Sequence, residues 1–123
     1  MIYRLSFLAL AVFFAVGVSA QTRSVVDLTG PKLPARDKKC EIQFFDGKAP
    51  DSPHEIVGHI RVYISRDKLA SRSETPVDRA KPEFRKRACR MGADAVVLVR
   101  QTVSNSGEFQ TLYVKGDAIR FTK

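Results

Sequence analysis

The sequence predicts an α+β domain of order β-β-α-β-β, with one helix packed on a four-stranded mixed sheet. Three observations carry this. Apolar and polar residues alternate from Cys40 to Phe45 and again over much of Glu55 to Ile64, the period of a strand. Val77, Ala80, Phe84, Ala88 and Met91 recur at helical spacing and stop at Gly92. Two more strand-like stretches follow, Ala93 to Arg100 and Glu108 to Thr122.

The N-terminus reads as an address. Met1-Ile2-Tyr3-Arg4 carries one positive charge, Leu5 to Val16 is apolar apart from Ser6, and Gly17-Val18-Ser19-Ala20 closes the stretch with mostly small residues. That order makes residues 1–20 a secretory signal peptide, cleaved after Ala20. The competing reading is an uncleaved anchor, but an apolar stretch of about 16 residues falls short of the roughly 20 that span a bilayer. Gln21 stands where a lipid-bearing cysteine would be needed, so no lipid attachment is expected. The mature chain of about 100 residues is one small exported domain, periplasmic or secreted, with no transmembrane segment.

Residues 21–39 read as a flexible N-terminal tether ahead of a domain spanning 40–123. Gly30-Pro31, Pro34 and the charged run Arg36-Asp37-Lys38-Lys39 break any regular period, although Ser24 to Leu28 has the makings of a short strand. Cys40, Ile42 and Phe44 share one face of the first strand. Asp46-Gly47 turns the chain, and the short connection to the second strand predicts a hairpin. Ile56, Ile60, Val62 and Ile64 share a face with Gly58, which marks a bulge or a close backbone approach.

Thr75 is a candidate helix N-cap, with Pro76 at the first helical position. Pro82 removes a helical hydrogen bond and clashes with the preceding turn, so the helix is expected to kink there or to begin near Lys81. The run Ala95-Val96-Val97-Leu98-Val99 lacks alternation, as in a central strand covered on both faces. Gly116 interrupts the last strand as a bulge. The sheet face away from the helix is expected to present Phe45, Val57, Tyr63 and some of Val96, Leu98, Leu112 and Val114. Such a face calls for a homo-oligomer, a partner, or cover from the N-terminal segment.

The basic helix end, the element Gly92-Ala93-Asp94-Ala95-Val96 and the closing Gly116-Asp117-Ala118-Ile119 resemble a bacterial superfamily. It includes the YbjQ-like domains, labelled heavy-metal-binding, and the RcsF-like stress-sensor lipoproteins of the Rcs system. Glu55-Ile56-Val57-Gly58-His59-Ile60 looks like the strand before the helix in that group. The resemblance runs from about Cys40 to Phe121 and implies a fold, with a binding or sensing role in the envelope. Within the element, Gly92, Asp94 and Gly116 have structural roles at turns: Gly92 ends the helix, and Asp94 can bond local amides.

Chemistry is sparse. Cys40 and Cys89 allow one disulfide in an oxidising compartment, closing a loop of about 50 residues worth roughly 4 kcal/mol; the other reading is two buried thiols. His54 and His59 are the two histidines. Their spacing of five sends them to opposite faces of a strand unless Gly58 marks a bulge, so they are weak metal candidates and no metal or cofactor is expected. No Gly-x-Ser-x-Gly elbow, phosphate-binding glycine loop or nucleophile–base pair stands out, so no catalytic residue and no enzyme activity are expected.

The formal net charge is +8, of which Arg4 supplies one unit. Lys81, Arg85, Lys86, Arg87 and Arg90 crowd one helix, with Lys81, Arg85 and Lys86 forming a cationic strip at helical spacing. They are either a solvated face or a contact for an anionic surface. Export removes nucleic acid as a physiological target. The sequence therefore points to a non-enzymatic envelope module, binding or stress-sensing, for a protein partner or an anionic envelope component. The alternatives are a small metal- or ligand-binding protein or enzyme, and an oligomeric structural protein.

Overall fold

A computed structural model describes residues 21–67 and 76–122, and the elements it shows are β1 (Gln21–Leu28), β2 (Gln43–Asp46), β3 (His54–Asp67), α1 (Pro76–Arg90), β4 (Ala95–Ser106) and β5 (Phe109–Phe121). The signal peptide assigned to residues 1–20 and the N-cap assigned to Thr75 lie outside the described residues. Among the described residues no helix is long and apolar enough to cross a membrane.

The expected four-stranded sheet is corrected to a single five-stranded mixed sheet of order β1-β3-β5-β4-β2. The additional strand comes from the segment read as a tether. β1 pairs antiparallel with β3, from Gln21 opposite Ser65 to Leu28 opposite Gly58. Thr22, Ser24, Val26 and Leu28 alternate with Arg23, Val25 and Asp27, so the strand has one side to set against α1 and one polar side. Its partner lies some forty residues away, and no local turn announces it.

The expected hairpin between the first two strands of the domain is also overturned. β2 runs parallel to β4, with Gln43 opposite Ala95 and Asp46 opposite Leu98, and is separated from β3 by two strands. The connection from Gly47 to Pro53 crosses the end of the sheet. Its ends are fixed by backbone bonds from Gly47 N–H to the Leu98 carbonyl (2.8 Å) and from Thr122 N–H to the Pro53 carbonyl (2.9 Å). Seven extended residues reach roughly 23 Å, ample for three strand spacings of about 4.8 Å each. A short connection thus did not require adjacent strands.

β3 pairs with β5, and β5 with β4, both antiparallel, so β3 and β4 are parallel with β5 between them. Two irregularities set the faces. Val57 is an extra residue between the Ile56–Ile119 and Gly58–Ala118 pairs. It turns Ile56 outward, 43% exposed, while Ile60, Val62 and Ile64 are buried under α1. The second irregularity lies on β4 at Val99, between the Leu98–Gly116 and Arg100–Lys115 pairs. Gly116 itself is in register and is not a bulge. A Cβ there would come within 2.7 Å of Val96 Cγ1 and 2.9 Å of Phe84 Cε1, so the glycine clears room for the buried helix phenylalanine.

α1 starts at Pro76, not near Lys81, and continues through Pro82. Pro82 is exposed, which leaves the carbonyl that it cannot bond on the solvent side. Phe84, Ala80, Ala88 and Cys89 of α1 are buried against Ile60, Val62, Leu112, Val114 and Val96. The helix ends in a Schellman arrangement: Ala93 N–H bonds the Ala88 carbonyl (2.9 Å) and Gly92 N–H the Cys89 carbonyl (3.1 Å), with Gly92 at φ +75°.

The far face of the sheet differs from the apolar surface expected. Val57, Val96, Leu98, Leu112 and Val114 are buried on the helix side. A smaller cluster of Ala95, Val97 and Ile119 lies opposite, covered by Phe45 and Phe121 whose rings meet edge to face at 6.3 Å. The rest of that face is mixed: charged and tyrosine side chains, including Tyr63 against Tyr113 with Arg23 over the Tyr63 ring, lie among the exposed Val25, Ile56 and Phe109.

Candidate functional site

The disulfide between Cys40 and Cys89 is present, joining residues 49 apart in sequence across a Cα separation of 5.9 Å. It holds the segment before β2 on the last turn of α1. Arg36 adds to the clasp: its backbone N–H bonds the Cys89 carbonyl (2.8 Å), and its guanidinium donates to the Ala93 carbonyl (2.9 Å) and lies 3.4 Å from Asp94 Oδ1. The other Asp94 oxygen accepts the Phe121 N–H at 3.0 Å. Asp94 therefore ties the N-terminal segment, the helix exit and the end of β5 together.

The five cations predicted on α1 do not act alike. Lys81 is half-buried, 3.5 Å from Asp78 and 5.5 Å above the Phe44 ring. Arg87 is likewise engaged. Its Nε donates to Ser24 Oγ at 2.8 Å and lies 3.4 Å from Glu83 Oε1, while the Ser24 hydroxyl donates to the same carboxylate at 2.6 Å. These bonds fasten edge strand β1 to the helix. Arg85, Lys86 and Arg90 are exposed, and their side chains make no ion pair or hydrogen bond among the described residues. The strip expected from Lys81, Arg85 and Lys86 is thus redrawn as Arg85, Lys86 and Arg90, spread across the outer surface of the helix.

A recess lies on each flank of that surface. Toward β2, Lys38, Lys39 and Arg85 border a cleft of about 940 Å³ that also contains Cys40, Glu41 and Asp94. Toward β1, a recess of about 200 Å³ has Val26, Leu33 and Met91 among its walls and Lys32, Arg87 and Arg90 at its rim. Reading residues 21–39 as a tether hides this second recess. The alternation of Ser24, Val26 and Leu28 was the signal that could have found it.

The histidines lie elsewhere. The Val57 bulge brings His54 and His59 to the same side of β3, but their β5 partners are Phe121 and Asp117, which puts them about 13 Å apart along the strand. His54 Nδ1 meets the Ser52 carbonyl at 2.8 Å, and His59 Nδ1 meets Asp117 Oδ1 at 2.5 Å. Among the described residues no group of three His, Cys, Asp or Glu side chains is placed to hold a metal ion.

No protein-family model matches the chain, and no curated protein matches it. The fold is similar to that of the crystal structure of a Francisella virulence factor, FvfA, in its orthorhombic form. The TM-score is 0.59 at 16% sequence identity, over 80% of this chain and 97% of that one. At that identity the likeness concerns the fold alone.

Proposed function

We propose that this protein is an exported, non-enzymatic module of the bacterial envelope that uses the outer surface of α1 to bind an acidic protein partner or another anionic envelope component. The supporting observation is the set of three exposed cations, Arg85, Lys86 and Arg90, without counter-ions among the described residues beside clefts edged by Lys38, Lys39 and Lys32. Lys81 and Arg87 on the same helix, by contrast, are paired with carboxylates.

Export is supported by the N-terminal sequence and by the disulfide, which persists in an oxidising compartment. A fold shared with a protein described as a virulence factor is compatible with secretion. A place beside the YbjQ-like and RcsF-like domains remains part of this proposal, with partner binding as its function.

The test is recovery of ligands from solubilised envelope on the immobilised mature chain and on an Arg85→Glu/Lys86→Glu/Arg90→Glu variant. Ligands recovered by the native chain should fall at least about tenfold with the variant, because three reversed charges turn steering attraction into repulsion. Equal recovery would sink the basic-face reading.

A further inference from the structure

The recess between β1 and the end of α1 combines three features, of which the outer helix surface has only the positive charge. Its walls are apolar, from Val26, Leu28, Leu33 and Met91. Its rim is cationic, from Lys32, Arg87 and Arg90, of which Arg87 is already held by Glu83 and Ser24. Lys32 and Arg90 make no side-chain ion pair or hydrogen bond among the described residues. The third feature is the border of the sheet, open among the described residues. β1 is an edge strand, so every second residue turns its backbone N–H and C=O away from β3. Leu28, 60% exposed, stands at the meeting of that edge and the recess.

Size and chemistry together select the occupant. About 200 Å³ is below the roughly 300–1,000 Å³ of small-molecule pockets and suits a single large apolar side chain. A lipid headgroup would answer the cations but leave the strand edge without a partner. Only another extended backbone satisfies both, and in such a strand alternate side chains face the same way.

We propose that an extended acidic segment of a partner protein adds to the edge of β1, places one apolar side chain in the recess, and sets its carboxylates against Lys32 and Arg90. This rests on the basic-face reading above and narrows its ligand to a protein with an apolar anchor in an acidic stretch. The fixed position of β1 favours it: the Ser24–Glu83–Arg87 bonds hold the strand against the helix, so the recess is formed before a ligand arrives.

The experiment is an NMR titration of the mature chain, labelled at backbone amides and at Leu, Val and Met methyls. The probes are the peptide Asp-Glu-Asp-Leu-Glu-Asp-Asp, the same peptide with Ser in place of Leu, and vesicles of phosphatidylglycerol. The expected result is shifts of the Val26, Leu28, Leu33 and Met91 methyls and of β1 amides with the first peptide. Its affinity should exceed that of the Ser peptide by about tenfold or more, the effect of burying one leucine. Leu28→Ser, a change at an exposed position, should weaken the Leu peptide severalfold, while Lys115→Glu on the opposite sheet face should leave it unchanged. Equal binding of the two peptides, shifts confined to the Lys38–Gln43 cleft, or binding of vesicles alone would overturn the anchored-segment proposal and leave the basic-face reading standing. Failure of both peptides and of the vesicles would overturn both.

Discussion

Gly92 shows how one residue fixes the geometry of the helix exit. It is at φ +75°, and a Cβ there would approach the Pro34 carbonyl oxygen at 2.6 Å and Leu33 Cβ at 2.8 Å. Gly92→Ala should therefore lower stability by about 1–3 kcal/mol, measured by denaturant unfolding, through backbone strain and displacement of the segment carrying Leu33. An unchanged midpoint would mean that the exit is not held by this crossing. The helix stop at Gly92 was legible because a left-handed cap is a local requirement. Asp94, expected to bond local amides, instead reaches Arg36 and the Phe121 N–H, and these were not legible because they lie 58 and 27 residues away. Gly116 was misread for the same reason. Its need for space comes from Phe84 on the helix, and the bulge nearby belongs to Val99 on the neighbouring strand.

Among the elements, α1 and β3 could be recognised from periodicity, β4 from its apolar run and β5 as a strand-like stretch, whereas the pairing of β1 and the place of β2 could not. β1 is a two-sided edge strand whose apolar residues are few and whose pairing with β3 is entirely non-local. β2 has four residues and a short exit, which favoured a hairpin; its place was decided by packing, with Phe44 toward the helix-side core and Phe45 against Phe121. The disulfide is the link that joins these elements to the helix. Replacing both cysteines, Cys40→Ala with Cys89→Ala, should cost about 2–4 kcal/mol for a loop of this length, read as a drop in the unfolding midpoint. Native signals of β1 and of residues 33–39 should shift most, because Arg36 and Cys40 bracket the clasp on α1. A loss spread evenly over the domain would contradict that local role. The candidate site was legible in part: the basic helix could be read, but which cations stay free depended on Ser24, Glu83, Asp78 and Phe44.

At the scale of the molecule, the two sheet faces have different tasks. One is buried beneath α1; the other closes itself with a small aromatic-covered cluster and a charged surface that includes the Arg61–Asp27 and His59–Asp117 pairs. Arg85, Lys86 and Arg90 lie on the outer side of α1 with Lys32, Lys38 and Lys39 on its flanks, and the border of β1 lies on the same side as the apolar recess. Under the proposed function, this is the side on which the molecule would meet its ligand. The most direct measurement places a photoreactive amino acid at Lys86, or as comparison at Lys115 on β5, in the native protein within intact envelope. Crosslinked adducts of defined mass should form from position 86 and not from 115. Adducts from 115 with none from 86 would contradict the account.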